Sequence, residues 1–147
     1  MTALVCTALM PGCPKAQTAT DPALPPVGAF AISYAREGGL AASFAKLTVV
    51  PGRRATATSE GGRAGDRTVR FTLGIAQVSA LQRELARARF ANVAAVQSGG
   101  CADCFLYTIR YLGHTVAFDD STKPARLDGV IGRLESLISA HTIPPEA

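Results

Sequence analysis

The chain has 147 residues, of which 48% are hydrophobic and 18% are charged, and its net charge at pH 7 is +4. This length and composition are typical of one folded globular domain and exclude a chain that is disordered throughout. No apolar run reaches the roughly 18 residues that a membrane-spanning helix requires, so the sequence predicts no such helix.

The positive charge is concentrated in one stretch. Residues 53–89 contain eight arginines and three acidic residues, whereas the chain from residue 103 onward is slightly acidic. A basic stretch attracts nucleic acid or an acidic partner. However, Phe71 is its only aromatic residue, and nucleic-acid-binding surfaces usually place aromatic side chains among the basic ones. We therefore interpret the stretch as a solvated, arginine-rich surface and predict no nucleic-acid partner.

The N-terminus is typical of an export signal. Residues 1–12 are apolar and uncharged, and Gly12 directly precedes Cys13. This arrangement resembles the end of a bacterial lipoprotein signal, in which cleavage follows a small residue and the next cysteine receives lipid. It predicts lipidation of Cys13, a membrane anchor through that lipid, and a location in the cell envelope or outside the cell. The stretch contains no Lys or Arg, and the alternative interpretation is a cytoplasmic protein with a frayed N-terminus.

The rest of the chain divides into three parts. Residues 13–28 are rich in Pro, Ala and Thr and predict a semi-extended spacer. Residues 29–141 carry the periodic patterns of a single folded domain. Residues 142–147 include two consecutive prolines and predict a C-terminal tail.

Strict alternation of apolar and polar residues predicts six strands. They begin near Phe30, Ala45, Ala55, Val69, Phe105 and His114. Pro51-Gly52 and Leu112-Gly113 have the composition of tight turns, and the second predicts a hairpin between the last two strands.

Two stretches have the period of amphipathic helices. The first stripe is Ile75, Val78, Leu81, Leu85 and Ala88, and the second is Leu127, Val130, Ile131, Leu134, Leu137 and Ile138. Gly74 is the preferred N-cap of the first helix, and Pro124 opens the second. The sequence therefore predicts an α+β fold of order β-β-β-β-α-β-β-α, with a single antiparallel sheet and both helices packed on one face.

Cys101 and Cys104 have the CxxC spacing. The motif leads into a strand, whereas a thioredoxin-like site needs a helix N-terminus to lower the thiol pKa. A zinc site needs four ligands, and only His114 with Asp119 or Asp120 is at hand. The favoured interpretation is a structural disulfide, with redox and metal sites as the alternatives.

The sequence contains no recognisable catalytic set. His114 lies on an alternating strand and is predicted to be a partly buried, hydrogen-bonded residue, while His141 is near the end of the chain. Asp119 and Asp120 are adjacent carboxylates before a helix, which are usually solvated. No nucleophile elbow or phosphate-binding glycine pattern is present. We therefore predict no enzyme activity, no cofactor and no metal.

One string of residues resembles a known family. Ile32-Ser-Tyr-Ala-Arg36-Glu37-Gly38-Gly39-Leu40, a strand running into Arg-polar-Gly-Gly-apolar, is similar to the emfourin-like family, small bacterial protein inhibitors of thermolysin-type metalloproteases. The order of later strands and helices over residues 29–140 is also similar, and related small domains occur in envelope lipoproteins. The chain differs by its export signal, its spacer and its cysteine pair.

The resemblance implies a non-catalytic binding module that inhibits a secreted thermolysin-type metalloprotease. It assigns partner binding to Arg36, Glu37, Gly38, Gly39 and Leu40, with Leu40 filling a pocket of the protease. Two alternatives stay open: a strand-linking turn with Leu40 in the core, and a passive or structural envelope lipoprotein.

Overall fold

The computed structural model describes residues 23–61, 65–97 and 99–143. The predicted signal segment and most of the predicted spacer, including Cys13, lie outside the described residues. The described strands and helices occur in the following order: β1 (Ile32–Gly38), β2 (Ser43–Val50), β3 (Arg54–Glu60), β4 (Arg67–Thr72), α1 (Ile75–Arg87), β5 (Val96–Gln97), β6 (Phe105–Tyr111), β7 (His114–Asp119) and α2 (Asp128–Thr142).

The strands form one sheet with the order β4-β3-β2-β1-β6-β7-β5. All neighbouring strands are antiparallel except β5, which pairs with β7 in parallel. The predicted α+β fold with six main strands and two helices is confirmed. The prediction of a wholly antiparallel sheet is wrong, because β5 pairs with β7 in parallel. This strand has only two residues and is too short to show alternation.

Alternation along the strands places one set of side chains in the core. Tyr34, Leu47, Ile109 and Phe118 are fully buried on the side that faces the helices. Both helices bury their apolar stripes in the same hydrophobic cluster. Because the residues between them point the other way, the opposite face of the sheet is the polar one.

Helix α1 begins at Ile75 with Gly74 as its N-cap, as predicted. The side chain of Gln77 accepts a hydrogen bond from the Gly74 N–H at 2.8 Å, which satisfies one of the donors left free at a helix start. Ile75, however, is 63% exposed and does not belong to the buried stripe. At this first position the side chain lies beyond the edge of the core.

Helix α2 is joined to β1 by a polar contact as well as by apolar packing. The buried Tyr34 donates a hydrogen bond to Oε1 of Glu135, and Arg36 forms an ion pair with Oε2 of Glu135 at 3.0 Å. Burial, together with this hydrogen bond, raises the pKa of Tyr34 well above its ordinary value, so the hydroxyl remains a donor. The contact fixes the position of α2 along the strand.

Both ends of the predicted domain lie against the core. The carbonyl of Pro25 accepts a hydrogen bond from Gln82 Nε2 at 2.6 Å, and the carbonyl of Gly28 accepts one from Gly52 N–H at 2.8 Å. Residues 25–28 of the predicted spacer therefore contact the domain. At the other end, α2 continues to Thr142, which is buried.

Candidate functional site

The predicted binding residues lie at one end of the sheet, where several connections meet. The loop after β1 (residues 39–42) is termed the Leu40 loop, and the segment before β6 (residues 99–104) is termed the disulfide loop. Gly38 pairs with Phe105, and Leu106 pairs with Asp119. These pairings bring the end of β1, the start of β6 and the end of β7 together at the same end of the sheet.

The Leu40 loop presents its leucine to solvent. Leu40 is 92% exposed. The loop is closed by a hydrogen bond from Ala42 N–H to the Gly39 carbonyl at 3.0 Å, and Gly39 N–H donates to the Cys104 carbonyl at 3.4 Å. The alternative interpretation that places Leu40 in the core is therefore wrong.

Two glycines allow this loop to lie close to its neighbours. Gly38 and Gly39 have φ values of 109° and 72°, which side-chain-bearing residues rarely adopt. A Cβ on Gly38 would lie 2.7 Å from the Cys104 carbonyl oxygen, and one on Gly39 would lie 2.7 Å from Cζ of Phe105. Both positions consequently require glycine for backbone conformation and for space.

Cys101 and Cys104 lie at disulfide-bonding distance in the adjacent loop, with their Cα atoms 5.5 Å apart. The following residues form β6 and not a helix, as predicted. Within residues 23–61, 65–97 and 99–143, no group of three His, Cys, Asp or Glu side chains is arranged to hold a metal. The pair thus closes a small ring beside the Leu40 loop.

Asp119, the last residue of β7, forms a hydrogen bond to the disulfide loop. It is only 5% exposed, and its Oδ2 accepts a hydrogen bond from Gly99 N–H at 2.7 Å. Its Oδ1 accepts hydrogen bonds from the backbone and hydroxyl groups of Ser121 and Thr122. The Ser121 hydroxyl and the backbone donors hold the pKa of Asp119 well below its usual range.

Asp120 holds the start of β6. Its Oδ2 accepts the Phe105 N–H at 2.8 Å, and its Oδ1 accepts the Tyr107 hydroxyl at 2.9 Å. Burial, followed by this hydrogen bond, raises the pKa of Tyr107 to about 12. The prediction of solvated carboxylates at positions 119 and 120 is therefore wrong for Asp119, which is buried and hydrogen-bonded to Gly99 of the disulfide loop. Asp120 is exposed, as predicted, and it also holds the start of β6.

The five residues assigned to partner binding do not share one surface. Arg36 faces α2, where it contacts Glu135, and its guanidinium carbon lies 4.7 Å from the centre of the Phe105 ring. Glu37 is exposed on the opposite face of the sheet. Among these residues, Glu37 and Leu40 are accessible, the two glycines shape the loop, and Arg36 supports Phe105.

Two further apolar residues belong to the accessible surface and were not predicted. Phe44 and Leu106 are the register partners of Glu37 on either side, and Leu106 is 41% exposed. The sequence feature that could have indicated both residues is an apolar side chain at a position that strand alternation assigns to the outward face. Glu37, Leu40, Phe44 and Leu106 are termed the Leu40 surface.

The two histidines lie far from this surface and make structural contacts. His114 Nε2 is 2.8 Å from the Val93 carbonyl oxygen, which confirms the predicted partly buried, hydrogen-bonded strand residue. The His141 ring stacks on Phe71 with its centroid at 3.6 Å.

Comparison with protein-family models found no matching family, and comparison with curated proteins found no similar sequence. The similarity to the emfourin-like family therefore remains a hypothesis based on short strings of residues. Among the described residues, no helix is long and apolar enough to cross a membrane.

We expect the disulfide to stabilise the domain without determining its fold. Replacing Cys101 and Cys104 with Ser should lower the free energy of unfolding by about 2 kcal/mol, because the loop that the bond closes is short. Urea unfolding with and without a reductant measures this effect. The reductant should destabilise the wild type alone; loss of the folded state in the double variant would contradict the prediction.

We expect Asp119 to make the domain sensitive to acid. Its pKa is lowered in the folded state, so its stabilising contribution is present above about pH 4, the ordinary pKa range of Asp. That contribution is lost as the pH falls through the lowered folded-state pKa, since the unfolded chain takes up the proton first. Asp119→Asn should flatten the dependence of Tm on pH between about pH 5 and pH 2.

Thermal unfolding followed by circular dichroism at several pH values measures this dependence. Asp103→Asn is the matched control, because Asp103 is an exposed carboxylate of the disulfide loop, which Asp119 contacts through Gly99. An acid slope in Asp119→Asn equal to that of the wild type would show that Asp119 is not the responsible group.

Proposed function

We propose that this protein is a non-catalytic binding module of the cell envelope or extracellular space, and that it inhibits a secreted thermolysin-type metalloprotease through the Leu40 surface. The observation that carries the proposal is that Leu40 is almost fully exposed on a loop that is hydrogen-bonded to the disulfide loop. The similarity of residues 32–40 to the emfourin-like family supports the choice of partner.

An exposed leucine on a supported loop is suited to insertion into an apolar pocket. Burying a leucine side chain in a partner is favourable by roughly 1.5–3 kcal/mol. The loop is already closed by the Ala42–Gly39 hydrogen bond and by its contact with Cys104, so little conformational entropy remains to be lost on binding. The geometry therefore favours a single apolar anchor over a broad, adaptable interface.

The surroundings of Leu40 supply the rest of an interface. Leu106 and Phe44 add apolar side chains on β6 and β2 at the same end of the sheet, and Glu37 lies between them on the outward face. Anchors surrounded by residues that exclude water typically carry most of the energy of an interface. We assign Leu40 the anchor role and Glu37 a polar contact to the protease.

The test is inhibition of a panel of thermolysin-type proteases by the wild type and by Leu40→Ala. Leu40→Ala should weaken inhibition by roughly 1–3 kcal/mol, about tenfold or more. Because Leu40 is solvent-exposed, the same substitution should leave the Tm nearly unchanged.

Ile75→Ala is the control for loss of an exposed apolar side chain. Ile75 follows the far end of β4, away from the Leu40 surface, and the variant should inhibit like the wild type. If no protease is inhibited at micromolar concentration, the alternative of a passive envelope lipoprotein takes precedence. Inhibition that is equal in Leu40→Ala and the wild type would keep the inhibitor role and reject the Leu40 loop.

A further inference from the structure

A second candidate site lies at the opposite end of the sheet from the Leu40 surface. It is a cavity of about 250 Å³ between the C-terminal end of α1 and the hairpin that joins β6 to β7. Leu24, Leu85, Phe90 and Leu112 supply much of its apolar lining. Small-molecule sites are typically concave and apolar with a few polar groups, and this cavity is slightly smaller than their usual size of about 300–1,000 Å³.

Tyr111 forms part of the cavity wall, and its hydroxyl lacks a partner. The residue is 5% exposed, and the hydroxyl makes no hydrogen bond to any of the described residues. Burial raises the pKa of Tyr111, so the hydroxyl stays protonated and needs an acceptor. Buried polar groups are nearly always paired, which makes this donor an exception that calls for a ligand or another partner.

Arg89 lies at the same cavity with an unusual backbone. Its φ is 45°, in the left-handed region, although glycine is the residue usually found at this position after a helix. A side-chain-bearing residue in this conformation is strained, and such strain tends to persist where a side chain is needed for function. Arg89 is exposed and is one of the residues that line the cavity.

His114 adds a third polar group. Because the Val93 carbonyl can only accept, Nε2 of His114 carries the proton of that 2.8 Å hydrogen bond. Its Nδ1 is then the nitrogen left for another contact. The ring also packs edge-on against Phe90, with 5.6 Å between centroids, which fixes the imidazole at the cavity wall.

We propose that this cavity binds a small carboxylate with an apolar body. The apolar body would occupy the space beside Phe90 and Leu85. The carboxylate would form an ion pair with Arg89 and accept a hydrogen bond from the Tyr111 hydroxyl. One guanidinium group matches one carboxylate in charge and in its planar, two-pronged geometry. The hydroxyl is shielded in the free protein, so binding requires a wall side chain to move, and solvent already reaches Leu24 and Leu112.

The first experiment titrates the full chain with three ten-carbon probes that differ only in the head group. Decanoate, decanol and decylammonium are added to isotopically labelled protein, and amide shifts are followed by NMR. Decanoate should give saturable shifts at Phe90, Tyr111 and His114, with at least tenfold weaker binding of decanol and weaker binding still of decylammonium. Equal binding of decanoate and decanol, or no saturable shift with decanoate, would overturn the proposal.

The second experiment uses variants that separate binding from stability. Arg89→Gly relieves the left-handed strain, so it should raise the Tm while weakening decanoate binding at least tenfold. Tyr111→Phe removes the unpaired hydroxyl and should weaken decanoate binding severalfold without lowering the Tm. Arg83→Ala removes an exposed arginine of α1 that does not line the cavity, and it should bind decanoate like the wild type.

An Arg89→Gly protein that is more stable but binds decanoate with wild-type affinity would contradict the role of Arg89. A lower Tm in that variant would show that the arginine is retained for the fold, and would likewise overturn the proposal. None of these outcomes depends on protease inhibition, because the cavity and the Leu40 surface lie at opposite ends of the sheet.

Discussion

The position of Phe105 is the constraint on which the Leu40 surface depends. Its N–H is held by Asp120, its ring lies under the Arg36 guanidinium, and the same ring fills the space beside Gly39. These contacts come from two distant parts of the chain, the residue after β7 and the end of β1 with the loop that follows it. If Phe105 moved, the Leu40 loop would lose the ring against which Gly39 packs.

The support of Phe105 extends through the whole domain. Arg36 is oriented by Glu135 of α2, and Glu135 is oriented by the buried hydroxyl of Tyr34. Charge-assisted hydrogen bonds in a partly buried setting are stronger than exposed ones. The apolar core therefore positions the helix, the helix positions the arginine, and the arginine positions the aromatic ring that supports the loop. A loop supported in this way can present an exposed leucine without becoming disordered, which is what the proposed inhibitory function requires.

Much of this arrangement follows from local patterns in the sequence. Alternation identified the six main strands, the Gly74 cap identified the start of α1, and the leucine-rich stripe identified α2. The alternating residues 105–111 predict a strand directly after the CxxC pair, and therefore a loop for the pair itself. These features depend on residues that are close in sequence, so their physical cause is visible without knowledge of the fold.

The remaining features depend on strand register. Asp119 looks like a solvated loop residue until β5 and β6 are paired with β7, which brings Gly99 within hydrogen-bonding distance of Asp119 and Phe105 within hydrogen-bonding distance of Asp120. Likewise, Phe44 and Leu106 join Glu37 only once both of their strands are paired with β1. The strand β5 is two residues long, and its two positions carry no periodic signal.

Whether the fold holds Leu40 ready for a partner is tested most directly by the order of the Leu40 loop in the free protein, measured by backbone NMR relaxation in the wild type and in Asp120→Ala. We expect wild-type order parameters of about 0.85 for residues 39–42, similar to those of rigid backbone. In Asp120→Ala they should fall toward about 0.6 while those of β2 and β3 stay high. A Leu40 loop that is already below about 0.6 in the wild type would contradict the claim that the fold holds Leu40 ready for a partner.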